Sequence, residues 1–216
     1  MGNYTSGRKT RAALIDAAGS LAAEKGFSSV STRMIAELSG ENIGSIHYHF
    51  GGKQQLFDAV VATVAERWQD KPLSRLLTHC DLTTLPGQAE AVELVVRREA
   101  ALLFDPEAPV WHCRVIYQLL HFPDPLRDAF RHAVIGPESE TIIQLIQTIK
   151  PGLDPVTAHQ YMYLITAPLF LHVDYREALL ERLGMNGYDA TYIESLTHLC
   201  VRQALLLLNL PVRETL

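Results

Sequence analysis

The sequence has few cysteines and no long hydrophobic run. Its three cysteines among 216 residues are odd in number and widely spaced, which argues against a disulfide framework and suits a reducing compartment. No apolar stretch reaches the roughly 18 residues that a membrane-spanning helix needs. The first residues also lack the apolar segment of a signal peptide. We therefore expect a cytoplasmic protein that does not span a membrane.

Motifs that are typical of several enzyme classes are also missing. The chain contains neither the GxSxG elbow of a serine hydrolase nor the HExxH motif of a metalloprotease. Gly52 and Lys53 do not form a phosphate-binding loop, since no glycine lies five residues before Gly52 and both flanking segments are predicted helices. These absences argue against an enzyme. A helical enzyme with a dispersed active site remains an alternative.

The chain does have enough apolar residues for a large core. Hydrophobic residues make up 48% of it, which excludes a disordered chain. Apolar residues recur at spacings of three and four, and no segment alternates as a β-strand does. The sequence therefore predicts an all-α protein with a short disordered tail over residues 1–7. The predicted helices that flank and follow the motif described next are 8–25, 54–70, 88–104, 110–122, 126–135, 138–150, 155–183 with a kink at Pro168, and 190–208.

Residues 31–53 predict two short helices joined by a tight turn. Ser31 and Asn42 are both suited to cap a helix N-terminus through their side-chain oxygens. Gly40 can adopt the left-handed conformation that ends the first helix, and Gly51 can end the second. This spacing is typical of a helix-turn-helix, whose second helix enters the major groove of DNA.

Positions in and around this segment resemble the N-terminal signature of TetR-family transcriptional regulators. The matching residues are Arg11, Leu14, Ile15, Ala17, Ala18, Leu21, Gly26, Phe27, Ile35, Ala36, Gly40, Gly44, Ser45, Ile46, His49, Phe50, Lys53 and Leu56. The resemblance implies an N-terminal three-helix helix-turn-helix DNA-binding head, followed by a larger helical ligand-binding and dimerisation domain. We expect the first over residues 1–53 and the second over residues 54–216. Such a protein would be a homodimeric repressor that leaves its double-stranded operator when an unknown small-molecule effector binds, and no cofactor is implied.

Three stretches of the body, residues 114–137, 153–172 and 182–208, resemble CecR-like members of the same family more weakly. They match in the pattern of helices and turns rather than in a site motif. The weaker resemblance therefore supports the architecture and carries no information about a ligand.

Candidate DNA-contacting side chains lie in and beside the second helix of the motif. Those expected to reach base edges are Asn42, Ile43, Ser45 and His47, and those expected to contact the phosphate backbone are Thr32, Arg33, Tyr48, His49 and Lys53. Two residues depart from the family pattern. Glu41 stands where most members have a small apolar residue, and His47 stands where many have a tyrosine that contacts phosphate. Glu41 keeps open the alternative of a helical ligand- or partner-binding protein whose head does not bind DNA.

Charge is distributed unevenly along the chain. Residues 1–55 contain six basic and four acidic side chains, whereas the whole chain carries a formal net charge of -5. A mildly basic head on an acidic body would orient the protein towards DNA phosphates. Ordinary scatter of surface charge explains so small an excess equally well.

Polar and aromatic side chains in the body are candidates for effector binding. They are Arg98, Trp111, Arg114, Tyr117, His121, Tyr163 and His172. Aromatic residues with polar tips can line an apolar cavity and also hydrogen-bond a ligand, although they fill ordinary cores as well. Adjacent His and Cys residues at 79–80 and 112–113 raise a metal-sensing alternative. Because neighbouring helical residues point about 100° apart, each pair offers one ligand easily, and we predict no metal site.

The last predicted helix, residues 190–208, is apolar nearly all round and must be covered on every side. Its main apolar stripe consists of Ile193, Leu196, Cys200, Ala204 and Leu207. The resemblance implies that a second copy of the chain covers it, since TetR-like proteins dimerise through their last two long helices as a four-helix bundle. A helix buried within a monomer is the alternative.

Overall fold

The computed structural model describes residues 2–121 and 125–212, which form helices and no strands, as predicted. The α-helices are α1 (Gly2–Lys25), α2 (Thr32–Ser39), α3 (Ile43–Phe50), α4 (Lys53–Asp70), α5 (Leu73–Leu76), α6 (Leu85–Leu103), α7 (Trp111–His121), α8 (Pro125–Phe130), α9 (Gly136–Ile149), α10 (Pro155–Asp174), α11 (Arg176–Leu183) and α12 (Ala190–Leu208). Short 3-10 turns cover Phe27–Ser29 and Leu77–His79, and Arg131–Ile135 is π-helical. Among these described residues, no helix is both long enough and apolar enough to cross a bilayer.

Most predicted helices agree with the structure to within a few residues, and α12 has the predicted bounds. The predicted tail over residues 1–7 is wrong, because α1 already begins at Gly2. No proline interrupts this segment, so the alanine-rich helix that follows extends back through it. Part of the segment predicted to be irregular, residues 71–87, is also helical, since it contains α5.

The predicted helix over residues 155–183 is in fact two helices, α10 and α11, which are separated at Tyr175. Pro168 lies inside α10, where it has no N–H to donate to the carbonyl oxygen of Leu164. The side-chain amide of Gln203, on α12, donates to that oxygen over 3.1 Å and replaces the missing bond. Tyr175 leaves the helical conformation with φ −96° and ψ 18°. Neither proline nor glycine marks this break, so it could not be predicted from the local residue types.

The chain packs as two compact units. The first consists of Met1–Gln69 and Pro106–Val134, and the second of Asp70–Asp105 and Ile135–Leu216. Helices α7 and α8 therefore belong to the same unit as the N-terminal helices. The functional boundary between residues 53 and 54 stays a prediction, because compact packing does not test which residues bind DNA or an effector.

In the first unit, α1 packs against α2, α3 and α7. A Cβ atom added at Gly19 would lie 2.5 Å from the ring of Trp111, so the close approach of α1 and α7 requires glycine there. The indole Nε1 of Trp111 donates to Asp16 over 2.7 Å. Phe27 meets the ring of Phe57 edge-on at 5.1 Å, as expected of a residue that fills the core of the head. These contacts give the first unit a core of its own.

In the second unit, α6 packs against α9, α10 and α12. Its inward face consists mainly of alanine and valine, which lets the helices approach closely. The buried residues of α10 and α12 complete this core: Ala158, Met162, Ile165, Leu169, Val173, Leu196, Thr197, Cys200, Val201, Ala204, Leu205 and Leu208.

Candidate nucleic-acid interface

Both helices of the motif are capped by the residues that the sequence analysis selected. The hydroxyl of Ser31 accepts a hydrogen bond from the backbone N–H of Met34 over 3.2 Å. The side-chain oxygen of Asn42 accepts one from the backbone N–H of Ser45 over 2.8 Å. Gly40 ends α2 with φ 71°, and Gly51 ends α3 with φ 87°. A side chain is strained in that conformation, so glycine fixes both boundaries.

One face of the eight-residue helix α3 anchors it, and the opposite face reaches solvent. Ile46 is fully buried at 0% exposure. Phe50 is half-buried, and the Arg11 guanidinium lies 5.2 Å from the centre of its ring. His47 is exposed, and Tyr48 has 85% of its surface exposed. The helix therefore presents polar and aromatic side chains from a rigid base.

Each of the nine predicted DNA-contacting residues is at least partly accessible. Those that are exposed are Arg33, Asn42, Ile43, His47 and Tyr48, and those that are half-buried are Thr32, Ser45, His49 and Lys53. Thr32 and Arg33 are the first two residues of α2, where free backbone N–H groups favour an anion. Accessibility is necessary for DNA contact, and the contacts themselves stay predictions.

Lys53 has a structural contact that the sequence did not reveal. Its Nζ donates to the backbone oxygen of Val30 over 2.8 Å and lies 5.6 Å from the centre of the Phe57 ring. The ammonium group thereby ties the start of α4 to the segment that precedes α2. An ammonium has three N–H donors, so this bond is compatible with a phosphate contact as well.

Glu41, which departs from the family pattern, is accommodated in the turn. Its carboxylate accepts a hydrogen bond from the hydroxyl of Thr10, on α1, over 2.9 Å. Its backbone N–H donates to the hydroxyl of Ser39 over 3.3 Å. The side chain is half-buried and the turn keeps the left-handed Gly40. Glu41 therefore joins α1 to the helix-turn-helix instead of disrupting its packing.

The candidate effector-binding residues are divided between the two units. Trp111, Arg114, Tyr117 and His121 belong to α7 in the first unit, and the side chain of His121 lies outside the described part of the structure. Arg98, Tyr163 and His172 belong to the second unit. Trp111 is buried against α1, whereas Tyr163 is exposed on α10. Effector contact by any of these side chains stays a prediction.

Two of the candidates in the second unit have hydrogen-bond partners within the chain. Arg98 donates to Glu99 and Glu138 at distances of 3.2 and 2.7 Å, which supplies the buried charge with its counter-ions. The ring Nδ1 of His172 lies 2.8 Å from the backbone oxygen of Pro168. Over residues 2–121 and 125–212, no three His, Cys, Asp or Glu side chains are grouped so that they could hold a metal ion.

The predicted dimer stripe of α12 is largely covered by its own chain. Leu196, Cys200 and Ala204 are buried, and Ile193 and Leu207 are half-buried. Sequence reasoning selected the most continuous apolar stripe, which is the one that packs against the core of its own unit. Participation of these residues in an interface stays a prediction.

Other apolar side chains of α10 and α12 remain exposed. We call the following set the outer apolar face: Tyr163, Leu164, Leu171, Leu199 and Leu206. Leu164 and Leu171 are seven residues apart, as are Leu199 and Leu206, so each pair lies on one side of its helix. This heptad spacing was the available sequence signal for the exposed face.

Residues 14–60 match the family model of bacterial regulatory proteins, tetR family. No curated protein matches the chain. Solved structures share its fold, among them a putative TetR-family transcriptional regulator from Mesorhizobium loti, with 15% identity over 94% of this chain and 96% of that chain and a TM-score of 0.56.

Two further structures of known regulators are similar. NalD, the secondary repressor of the MexAB-OprM multidrug efflux pump in Pseudomonas aeruginosa, has 24% identity over 91% of this chain and 95% of its own, with a TM-score of 0.52. The flavonoid-responsive regulator FrrA has 22% identity over 92% and 96%, also with a TM-score of 0.52. At these identities the likeness concerns the fold. Together with the match over residues 14–60, it shows a chain that has the fold of TetR-family regulators and an N-terminal helix-turn-helix region that matches the tetR-family model.

Proposed function

We propose that the chain is a homodimeric, sequence-specific repressor that a small-molecule effector releases from its operator. The observation that carries the proposal is the geometry of α3. This helix is capped at its start by Asn42, ended by Gly51 and anchored by the buried Ile46, so its exposed side chains are held rigidly. A rigid helix with exposed polar groups fits the major groove, which is about 12 Å wide.

The residues of α3 divide into two roles in this proposal. Ser45 and His47, with Asn42 and Ile43 at the helix start, read base edges. Contacts to the phosphates position the helix without reading sequence. We assign those contacts to Thr32, Arg33, Tyr48, His49 and Lys53. The Glu41 carboxylate is held by Thr10, which supports a head that remains able to bind DNA.

The outer apolar face supports the homodimer. Its leucines and tyrosine on α10 and α12 are each about half or more exposed in a single chain. A second copy would bury them by pairing the same two helices as a four-helix bundle. The resulting twofold symmetry would place two copies of α3 in successive major grooves, about 34 Å apart.

Release by an effector follows from the same arrangement. An effector changes DNA binding only through its difference in affinity between the binding and non-binding states of the dimer. NalD is a repressor, and FrrA responds to flavonoids. By analogy with them, we propose repression as the direction of control and a small organic molecule as the effector.

Selection of bound sites from random DNA tests the proposal. We expect enrichment of an inverted repeat whose half-sites lie about one helical turn apart. Binding to that site should weaken steeply as salt concentration rises, because phosphate contacts release counter-ions. Failure to enrich any sequence would contradict sequence-specific binding. Enrichment of an isolated half-site would contradict the dimer.

A further inference from the structure

The chain passes between the two units at three points: after Gln69, after Asp105 and after Val134. A group of buried charged side chains in the second unit lies on the segments that follow the first and the third of these points. It consists of Arg98 and Glu99 on α6 and of Glu138 on α9. We call these three residues the Arg98 clamp.

The Arg98 clamp holds backbone as well as side chains. Arg98 grips Glu138 with two nitrogens, Nη1 at 2.7 Å and Nη2 at 3.3 Å, and its Nη1 also donates to Glu99 at 3.2 Å. Its Nε donates to the backbone oxygen of Lys71 over 3.0 Å. The backbone N–H of Leu73 donates to Glu138 over 3.3 Å. The clamp therefore fixes the chain on both sides of Pro72.

The ion pairs of the Arg98 clamp differ from an ordinary surface ion pair because their side chains are largely shielded from water. The side chains of Arg98, Glu99 and Glu138 are 8%, 6% and 13% exposed. By contrast, Arg97 on the same helix pairs with Glu93 and Glu194 at the surface. Separating the partners of a buried ion pair leaves an uncompensated charge in the protein interior. The geometry of the Arg98 clamp is therefore held more strictly than that of a surface ion pair.

The residues that the clamp holds lie where the chain enters the second unit from the unit that contains α3. Lys71 and Leu73 directly follow α4, the helix that begins at Lys53 beside the DNA-binding motif. Glu138 follows closely after the chain re-enters the second unit at Ile135. The clamp thus bonds two chain segments that lead straight out of the unit that contains α3.

We propose that Arg98 and Glu138 are positioning residues that fix the chain directly after α4, and that Glu99 regulates operator binding by competing with Glu138 for Arg98. This inference rests on the proposed DNA-binding function. Arg98 Nη1 faces both carboxyl groups, so a stronger hold by Glu99 weakens the hold on Glu138. Glu138 also accepts a hydrogen bond from the N–H of Leu73. A weaker bond between Arg98 and Glu138 therefore leaves the chain after α4 less firmly held.

Protonation decides the outcome of this competition. Burial raises the pKa of Glu99 to about 7, with Arg98 lowering it and the Glu138 carboxylate raising it. When Glu99 is protonated and neutral, Arg98 pairs with the carboxylate of Glu138 alone, and the bonds of the clamp are strongest. When Glu99 ionises, two buried carboxylates share one guanidinium. Rising pH therefore loosens the clamp.

Glu138 is the acid that faces Glu99 from α9. On α12, burial raises the pKa of the Cys200 thiol, which keeps it neutral near pH 7. Glu194, also on α12, is paired with Arg97. On α10, the inward side chains are apolar, and His159 is exposed. The second histidine of α10, His172, packs against the rings of Tyr188 and Tyr192.

The test compares wild type with Glu99→Gln, which keeps the size of the side chain and removes its charge. Glu93→Gln is the matched control, since Glu93 lies on the same helix and pairs with Arg97 at the surface. Affinity for a duplex containing the sequence selected by the wild type is measured at fixed salt from about pH 6 to about pH 8.5, a range that brackets the ionisation of Glu99. The histidines of α3 are the same in all three proteins, so their contribution cancels.

We expect wild-type affinity to fall across this range by about fivefold more than that of Glu99→Gln. Glu93→Gln should follow the wild type. Parallel profiles for wild type and Glu99→Gln would overturn the inference. A wild-type chain that selects no DNA sequence would instead overturn the proposed function, so the two failures are distinguishable.

A second measurement needs neither DNA nor a variant. Hydrogen exchange of the Leu73 amide in the wild-type protein, corrected for the intrinsic pH dependence of exchange, reports its bond to Glu138. We expect its protection to decrease as pH rises through 7 while the amides of the buried residues of α10 stay protected. Constant protection of Leu73 would contradict the proposed loosening.

Discussion

Helices α3 and α12 expose side chains of different chemistry. In α3, Ile46 is buried, and the accessible side chains are largely hydroxyl, imidazole and phenol groups. In α12, most of the apolar stripe is buried, yet Leu199 and Leu206 are exposed. Exposed polar groups on a rigid helix suit a hydrated, charged partner such as DNA. Exposed leucines at heptad spacing suit a partner made of the same kind of helix.

The largest expected effect comes from placing charge on the outer apolar face. The double variant Leu199→Glu and Leu206→Glu should be monomeric in sedimentation, because two carboxylates would have to be buried in the interface. Operator affinity should fall by about a hundredfold as the two heads lose their linkage. Leu183→Glu, at an exposed leucine of α11, is the control and should stay dimeric. An intact dimer in the double variant would remove α12 from the interface.

Cys200→Glu would be a poor substitute for this test. Cys200 is buried within its own unit, so a glutamate there would destabilise the unit itself. Loss of dimer in that variant would not distinguish an interface from a core.

The next largest effect concerns the anchor of α3. Ile46→Ala should lower the free energy of unfolding of the first unit by about 2–5 kcal/mol, because it opens a cavity under the helix. Ile43→Ala, on the accessible side of the same helix, should change it by less than about 0.5 kcal/mol. Chemical denaturation followed by circular dichroism measures both. Equal effects of the two variants would show that α3 is not anchored by one face.

Helices α3 and α12 also differ in how much of their structure could be predicted from the sequence. The caps of α2 and α3 follow from Ser31, Gly40 and Asn42, because capping depends on chemistry within a few residues. The covered side of α12 depends on α6 and α10, which are distant in the chain. A stripe of apolar residues predicts that the stripe is buried, but it does not indicate whether the same chain or a second copy buries it.

Two further features depend on tertiary contacts in the same way. Gln203 satisfies the carbonyl oxygen that Pro168 leaves without a donor. Glu138 supplies a counter-ion to Arg98 from a helix 40 residues further along. Neither partner can be identified from the local sequence. Tertiary contacts decide both cases.

A smaller effect is expected from the side chains of α3 that we propose read base edges. His47→Ala or Ser45→Ala should change the sequence preference, with a loss of about 1–3 kcal/mol of discrimination at one position of each half-site. Repeating the selection from random DNA with each variant measures the change. Ser28→Ala, at an exposed position in the turn after α1, should select the wild-type sequence. If the His47 and Ser45 variants also selected the wild-type sequence, other residues would have to contact the base edges.

The smallest effect concerns phosphate contact by Lys53. Lys53→Gln should weaken binding to all sequences alike and reduce the slope of log affinity against log salt by about 0.9. Glutamine keeps a neutral N–H donor for the oxygen of Val30, so it removes the charge with less disturbance than alanine. Lys25→Ala, at an exposed lysine paired with Glu24, is the control. An unchanged slope for Lys53→Gln would leave Lys53 with its structural role alone.

The contrast between the two surfaces can be measured directly by photo-crosslinking. Tyr48 on α3 and Tyr163 on α10 are both exposed, and each can be replaced by a photoreactive phenylalanine derivative. In the presence of the selected operator, we expect the group at position 48 to crosslink to DNA and the group at position 163 to crosslink to a second copy of the chain. Crosslinks from position 48 to protein, with none to DNA, would contradict the assignment of α3 as the helix that binds the operator.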